Sequence, residues 1–478
     1  MKKRGLSLFC TLLASTVITL SSGTTLVLAT ETIPETSTVA PETPEKPAVP
    51  ESYEWEIQSN NIPGWPEGPK VMAETAIVMD IDTGEILYAK GIDEKRAPAS
   101  TTKIMTAMLA IEKVPFETQI TFTDEVNNIE AGSTHIGIKP GETLTMKDCA
   151  YAILLASANE VSSGVAEYVS TTVPAFVDMM NQRAKELGCT NTNFVNANGL
   201  YDENHYTTAR DLAIIARAAF QNETFREIVK TPYYIVPKTN LTDEERWLNN
   251  HHKMILQGPE YYEGCLGGKT GYTEKAGNTL VTYAEKDGRK LVCVVLTDIN
   301  IVAQYTDTKA LLDYGFDYFQ RLDTAIVSLS PAQSDELGKR LEEKGLLSTA
   351  FETSSISIPK EPEEDLTCKV ALENNMLNID YYYGKQQIGN SSIQASDDVL
   401  KVAQELSLNE TAKTDAAVSQ SPSKDSNTSE KDSILPSWKY IALFLLITGV
   451  LFYIIVLIVN IKRRIKRRKR KKAKLHKY

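Results

Sequence analysis

Two hairpin patterns, far apart in the chain, constrain its fold most. In AIVMDIDTGEILYA, two apolar runs flank Asp82-Thr83-Gly84, and in NTLVTYAEKDGRKLVCVVLT two longer runs flank Asp287-Gly288. Asp and Gly between apolar runs indicate a turn between antiparallel strands. Between the hairpins, apolar residues recur at spacings of three and four, which predicts helices in the segments TKIMTAMLAIEKV, MKDCAYAILLASANEVSSGVAEYV, VPAFVDMMNQRAKELG and ARDLAIIARAAFQ. Strands at both ends with helices between them predict one α+β domain whose sheet is completed by both ends of the domain.

The two ends of the chain carry export and membrane patterns. MKKR, followed by an apolar stretch that ends at the small residue Ala29, predicts a signal peptide over residues 1–29. We favour this over an uncleaved membrane helix because the stretch is short and interrupted by polar residues. The uncharged apolar run from Ile441 to Val459 predicts a single transmembrane helix over residues 438–461. The basic tail, residues 462–478, predicts a cytoplasmic C-terminus, so the body is expected on the extracellular, cell-wall side of the cell membrane.

The formal net charge of −11 hides an asymmetry. Without the 12 cationic residues of the tail and the 3 of MKKR, 36 Lys and Arg stand against 62 Asp and Glu, a net charge of about −26. An acidic body argues against a nucleic-acid ligand. The cysteines after the predicted signal peptide are scattered and odd in number, so the sequence shows no disulfide framework or zinc spacing and leaves their pairing open. They are Cys149, Cys189, Cys265, Cys293 and Cys368.

Composition divides the exported part into two spacers and two folded regions. Residues 30–65 are rich in Pro, Thr and Glu and residues 406–437 are polar, which predicts disordered spacers. Residues 66–322 contain both hairpins and the helices, and form the predicted main domain. Residues 323–405 contain short β-like runs (AIVSLS, SSISIP, TCKVALE, MLNIDYYY), which predict a small β-rich C-terminal domain.

A Ser-x-x-Lys motif at Ser100 raises the question of chemistry. The motif occurs three times, but Ser421 lies in a predicted spacer and Ser357 lies in a strand-like run that contains a proline. Only Ser100 opens a predicted helix, where residues three apart share a face. Taken alone, the motif leaves open whether Ser100 caps this helix or is a nucleophile with Lys103 as its base.

Two further motifs answer that question. ILLASANE places Ser157-Ala158-Asn159 at the end of an apolar helix, and GGKTGYTEKAG places Lys269-Thr270-Gly271 just before a predicted strand. Ser-x-x-Lys, Ser-x-Asn and Lys-Thr-Gly in this order are the signature of serine penicillin-binding proteins and β-lactamases. The surrounding sequence resembles the D-alanyl-D-alanine carboxypeptidases, which are low-molecular-mass penicillin-binding proteins, over about residues 66–320. The resemblance rests on the stretches RAPASTTKIMTAM, IKPGETLTMKDCAYAILLASANEVSSGVAE, FVNANGLYDENHYTTARDLAIIAR and GGKTGYTEKAGNTLV.

The resemblance implies the penicillin-binding-protein-like α+β fold, an antiparallel sheet with a helical cluster, for residues 66–322. It also implies a serine peptidase that removes the terminal D-Ala from peptidoglycan stem pentapeptides through an acyl-enzyme, without a cofactor or metal. Peptides that end in D-Ala-D-Ala would be the substrate, and β-lactam antibiotics would be covalent inhibitors. One departure is Asn198 before Gly199, where the family often has His or Ser.

The resemblance also assigns roles to residues. Ser100 would be the nucleophile and neutral Lys103 the base, with Ser157 relaying a proton and Asn159 holding Lys103 or the substrate amide. A second cation near Lys103 lowers its pKa, and Lys269 would be that cation. Lys269 and Thr270 would bind the terminal carboxylate of the substrate. The backbone N–H groups of Tyr272 and Ser100 would form the oxyanion hole. The substrate-binding residues are thus Lys269, Thr270, Gly271 and Tyr272.

Four alternative functions fit the sequence less well. A β-lactamase or esterase of the same fold shares the motifs, and a catalytically inactive peptidoglycan-binding module could retain the fold. The five histidines show no zinc-ligand spacing, which argues against a zinc carboxypeptidase. A Ser-His-Asp hydrolase would need a G-x-S-x-G elbow, which the sequence lacks. We therefore expect His205 and His251 to be ordinary loop or surface residues.

Overall fold

The computed structural model describes residues 49–324, 329–350 and 355–406. Its strands, in chain order, are β1 (Thr75–Asp80), β2 (Ile86–Lys90), β3 (Gln119–Thr121), β4 (Thr143–Thr145), β5 (Tyr233–Val236), β6 (Arg246–Asn249), β7 (Cys265–Thr273), β8 (Gly277–Lys286), β9 (Arg289–Asp298), β10 (Phe319–Asp323), β11 (Ser330–Pro331), β12 (Ser355–Pro359), β13 (Leu366–Glu373), β14 (Met376–Tyr383) and β15 (Gln386–Gln394). Its α-helices are α1 (Lys103–Lys113), α2 (Met146–Leu154), α3 (Asn159–Ser170), α4 (Val173–Glu186), α5 (Ala209–Gln221), α6 (Glu223–Val229), α7 (Ile301–Tyr318), α8 (Glu336–Glu343) and α9 (Leu347–Ala350). Short 3-10 helices lie at Glu51–Glu54, Gln58–Asn61, Ala99–Thr102, Asp124–Asn127 and Lys253–Ile255.

The central sheet is antiparallel, with five strands in the order β2-β1-β9-β8-β7. The first predicted hairpin forms β1 and β2 and the second forms β8 and β9, which confirms that both ends of the main domain complete the sheet. Alternate residues of β9 enter two cores: Val292 and Val294 pack with the helical cluster, whereas Leu291 and Cys293 pack in the core that contains α7. Burial on both faces explains why this strand is continuously apolar in sequence.

The helices confirm most of the pattern between the hairpins. α1, α4 and α5 lie where the apolar spacing predicts them. The segment predicted as one long helix is instead two helices, α2 and α3, separated at residues 155–158. Ser157 at this break has a φ of 59°, in the left-handed region, which a continuous right-handed helix does not contain.

The C-terminal region is rich in β-structure, as predicted. β10 pairs with β12, and β11, β13, β14 and β15 form a four-stranded sheet. Three of the predicted runs form β12, β13 and β14, most of AIVSLS lies outside the described residues, and the more polar β15 was not predicted. On β12, Ser357 donates to Asp80 Oδ2 at 2.8 Å and its backbone N–H donates to Glu85, so this region contacts the first hairpin directly. The described residues up to Ala403 form one compact unit.

Several predicted segments lie outside the described residues. These are the signal peptide (1–29), most of the first spacer (30–65), the second spacer (406–437) apart from its first residue, the transmembrane helix (438–461) and the basic tail (462–478). In the part of the chain that the structure describes, none of the helices combines the length and apolar character needed to cross a membrane. Part of the range predicted as a disordered first spacer is instead folded, since Glu51–Glu54 is helical and Trp65 is buried.

Candidate active site

The turn that carries Ser100 is held in a strained conformation. Ser100 lies in the 3-10 helix Ala99–Thr102 that leads into α1, and Ala99 has a φ of 49°. A β-carbon on Gly199 would lie 1.9 Å from the carbonyl oxygen of Ala99, and Gly199 itself has a φ of +86°. Only glycine allows the chain to pass this close beneath the turn, so Gly199 fixes the backbone around Ser100.

Lys103 lies fully buried with its amine between three oxygen atoms. Its Nζ donates to Asn159 Oδ1 at 2.6 Å and to the carbonyl oxygen of Asn198 at 2.5 Å, and lies 3.1 Å from Ser100 Oγ. A neutral amine has two N–H groups and one lone pair. Because the amide and carbonyl oxygens can only accept, they use both N–H groups and leave the lone pair for the hydroxyl proton of Ser100. The arrangement is therefore the one that a general base requires.

Lys269 reaches the same site from the sheet. It lies on the edge strand β7 with 1% of its surface exposed, and its Nζ donates to Ser157 Oγ at 3.0 Å and to the carbonyl oxygen of Thr270 at 2.7 Å. Lys269, Thr270 and Gly271 precede the predicted strand, which is β8, but they lie within β7, a strand that the sequence did not predict. The structure brings Ser157 to Lys269, and Asn159 to Lys103.

Burial and charge lower the pKa of both lysines. Burial, reinforced by the charge of Lys269, holds the pKa of Lys103 well below its usual range, although Glu160 acts in the opposite direction. Burial alone lowers the pKa of Lys269 to about 7. Since Lys103 carries the additional repulsion, the site favours neutral Lys103 beside protonated Lys269.

The predicted residues meet at one cavity of about 580 Å³. Its lining includes Ser100, Ser157, Asn159, Thr270, Gly271 and Tyr272. The two lysines are buried beneath this surface, where they contact residues that line it. The cavity also contacts the loop from Gly132 to Thr134, His251 and the first turns of α7. Within the described ranges, no group of His, Cys, Asp and Glu side chains is arranged to hold a metal ion.

Comparison with known proteins identifies the family. The sequence model of the D-alanyl-D-alanine carboxypeptidase family matches residues 63–300. The D-alanyl-D-alanine carboxypeptidase DacB2 of Mycobacterium tuberculosis is 32% identical over 258 residues, which cover 52% of this chain and 84% of the relative. The chain belongs to this family. The D-alanyl-D-alanine carboxypeptidase DacF of Bacillus subtilis is 35% identical over 252 residues, but the match covers only 63% of its length. This membership confirms the predicted family.

A solved structure extends the comparison to the fold. Penicillin binding protein 6B from Escherichia coli superposes with a TM-score of 0.55 at 23% identity, over 70% of this chain and 99% of the other. At this identity the likeness shows the fold alone. It confirms the predicted penicillin-binding-protein-like α+β architecture.

Several residues that line or support the candidate active site were not predicted to do so from the sequence. His205 was expected to be an ordinary loop or surface residue, but it is 2% exposed; it accepts from the backbone N–H of Val195 through Nδ1 and contacts Thr102 Oγ1 through Nε2 at 2.8 Å. It thereby supports the 3-10 helix that carries Ser100. His251 is an exposed loop residue, as expected, but it also lines the cavity. Neither histidine belongs to one of the three motifs, so no sequence pattern revealed its place.

Glu160 was also missed, although it directly follows a predicted site residue. Its Oε1 accepts from the backbone N–H groups of Ile136 and Gly137 at 2.7 and 3.1 Å, and its side chain is buried. The backbone N–H of Asn159 donates to the carbonyl oxygen of Thr134 at 3.0 Å. The start of α3 therefore fixes the loop that forms one wall of the cavity.

The five cysteines that follow the predicted signal peptide are free thiols. Cys265 is partly exposed, and the other four are buried. Burial raises the pKa of each thiol, which keeps it protonated and weakly nucleophilic.

Proposed function

We propose that this protein is a serine-type D-alanyl-D-alanine carboxypeptidase that removes the terminal D-Ala from peptidoglycan stem pentapeptides. The observation that carries the proposal is the amine of Lys103 beside Ser100 Oγ, with both of its N–H groups directed to oxygen acceptors. Family membership supports the same activity. The ammonium of Lys269, buried beneath the cavity, and Thr270, which lines it, supply the positive charge and the hydroxyl group that suit a terminal carboxylate.

The proposed reaction has two halves. In the first, Lys103 takes the hydroxyl proton as Ser100 Oγ attacks the carbonyl carbon between the two D-alanines. The C–N bond breaks, the proton that Lys103 took passes through Ser157 to the leaving amine, and the terminal D-Ala departs. The backbone N–H groups of Ser100 and Tyr272 are proposed to hold the oxyanion. In the second half, water attacks the ester, and Ser100 regains its proton as the shortened peptide leaves.

A labelling experiment tests this function. A β-lactam is a strained amide that should acylate the same nucleophile, so a fluorescent penicillin is expected to attach to Ser100. Mass spectrometry of a tryptic digest locates the adduct, and Ser421→Ala, which changes another Ser-x-x-Lys motif, should leave labelling unchanged. Release of free D-Ala from a D-Ala-D-Ala peptide is measured in parallel. A label on another residue, or rapid β-lactam turnover without release of D-Ala, would overturn the proposal.

We further propose that the protein is anchored in the cell membrane by residues 438–461, with the catalytic part on the cell-wall side and residues 462–478 in the cytoplasm. The hydropathy of the run from Ile441 to Val459 and the 12 cationic residues after it support this topology. An export signal over residues 1–29 accounts for delivery of the acidic body to the outer side. The polar residues 406–437 would hold the folded part away from the lipid surface.

Deleting residues 438–478 should release an active enzyme into the culture medium, because the predicted span, and not the catalytic region, supplies the anchor. Fractionation followed by penicillin labelling measures both the location and the activity. The matched control is a chain shortened only by residues 462–478, which should stay with the membrane. Retention of the longer deletion in the membrane fraction would place the anchor elsewhere in the chain.

A further inference from the structure

Two large aromatic side chains lie exposed and side by side on the hairpin of β5 and β6. Tyr233 is 56% exposed and Trp247 is 63% exposed. Their ring centroids are 5.9 Å apart, and their planes differ by 22°. Most large aromatic side chains of soluble proteins are covered by packing, so two nearly parallel exposed rings form an apolar surface that calls for an explanation.

The opposite face of this hairpin is anchored firmly. Leu248 is buried, and Tyr234 stacks on Tyr151 at 3.8 Å between ring centroids while its hydroxyl donates to Asp148 Oδ1 at 2.8 Å. The strand register places Tyr233 and Trp247 together on the outer face. A cross-strand aromatic pair contributes only about 1 kcal/mol or less to a hairpin, and the inward packing already holds this one. The outer pair is therefore free to serve as a preformed contact surface.

The pair lies close to the catalytic cavity. β6 ends at Asn249, Asn250 follows with its side chain donating to the carbonyl oxygens of Val229 and Thr231, and His251 lines the cavity. At about 3.4 Å per residue, Trp247 lies within roughly 14 Å of the cavity wall along the chain. An extended peptide of five residues spans at most about 17 Å. A ligand group joined to a stem peptide can thus reach the aromatic pair while the peptide occupies the cavity.

Charge on the same hairpin selects among ligands. The connection between β5 and β6 carries three exposed acidic residues, Asp243, Glu244 and Glu245. These carboxylates would repel an anionic lipid surface or another polyanion. A sugar ring of the cell-wall glycan has an apolar C–H face that can lie on an aromatic ring and hydroxyl groups that need not leave water.

We propose that Tyr233 and Trp247 form a carbohydrate-binding platform for the glycan chain of peptidoglycan. This inference rests on the proposed function, because it assigns a second contact to the same polymeric substrate. The enzyme would then discriminate stem peptides attached to glycan from free peptides.

The test compares two substrates with full-length protein. One is a free pentapeptide that ends in D-Ala-D-Ala, and the other is the same pentapeptide attached to uncrosslinked glycan chains. Trp247→Ala and Tyr233→Ala should each raise KM for the glycan-linked substrate roughly tenfold and change KM for the free peptide by less than about twofold, with an unchanged unfolding midpoint. The matched control is Tyr168→Ala, which removes an exposed aromatic side chain on α3, away from the hairpin.

A binding measurement separates this inference from the proposed function. Ser100→Ala protein should co-sediment with glycan chains stripped of their peptides. The double variant, which also carries Trp247→Ala, should bind these chains about tenfold more weakly. Such binding supports the platform even if the parent releases no D-Ala from either substrate. The platform is refuted if the parent does not bind stripped glycan, if both substrates lose activity equally, or if the pair instead mediates binding to phosphatidylglycerol vesicles.

Discussion

Lys103→Arg should lower the rate of acylation by roughly a thousandfold or more for peptides and β-lactams alike. The guanidinium keeps the positive charge but does not lose its proton in the working pH range, so it offers no lone pair to Ser100. The two acceptor oxygens at 2.5 and 2.6 Å hold the native amine in a position that a planar guanidinium does not reproduce. Stopped-flow labelling with a fluorescent penicillin measures the loss, and circular dichroism checks the fold.

Lys269→Arg is the matched comparison, and its loss should be smaller, roughly ten- to a hundredfold, because the charge remains. The pH dependence of kcat/KM provides a second readout. Activity should rise as pH rises through the lowered pKa of Lys103, since only the neutral amine acts. In the parent it should fall again as pH rises through about 7, where Lys269 loses its proton in the free enzyme. Lys269→Arg should lack this alkaline decline. An active Lys103→Arg beside an inactive Lys269→Arg would reverse the assigned roles.

Gly271→Ala should reduce acylation by about a hundred- to a thousandfold while leaving the fold intact. A β-carbon at this position would lie 2.4 Å from Thr279 Oγ1 and 2.9 Å from the backbone nitrogen of Ser100. Thr279 donates to the carbonyl oxygen of Pro98 at 3.2 Å, so displacing it disturbs the turn that carries the nucleophile. The displaced Ser100 amide is also a proposed oxyanion donor, and loss of one such donor costs about this factor.

The control for this prediction is Gly258→Ala. Gly258 has no atom within 4 Å of the position of an added β-carbon and does not adopt a positive φ. Its replacement should leave penicillin labelling unchanged. The measurement is the acylation rate together with the thermal unfolding midpoint. Acylation at the parent rate in Gly271→Ala would show that the close approach of β7 to Ser100 is not required.

The sequence predicts the site better than it predicts the geometry around it. Ser100, Lys103, Ser157, Asn159 and Lys269 belong to short motifs, because their chemistry requires fixed residue types at fixed local spacings. The structure places these predicted residues around one cavity. Their catalytic roles stay predictions that the lysine and glycine variants test.

The groups that hold these residues in place left no comparable pattern. Lys103 uses the carbonyl oxygen of Asn198, and any residue type provides such an oxygen. His205 and Glu160 act through contacts between segments distant in sequence, which depend on the tertiary fold. Local periodicity likewise did not reveal the break between α2 and α3, because the left-handed conformation of Ser157 is imposed by its surroundings rather than favoured by its residue type.

The contact of Ser357 with the first hairpin has a mechanical consequence. Ser357 donates to Asp80 Oδ2, and its backbone N–H donates to Glu85, a carboxyl group that is 4% exposed. Pulling β12 away would leave buried carboxyl groups without these donors, which costs more than separating exposed surfaces. A force that separates β12 from the first hairpin would therefore be resisted by buried hydrogen bonds to the edge of the central sheet, and not only by contacts between exposed surfaces.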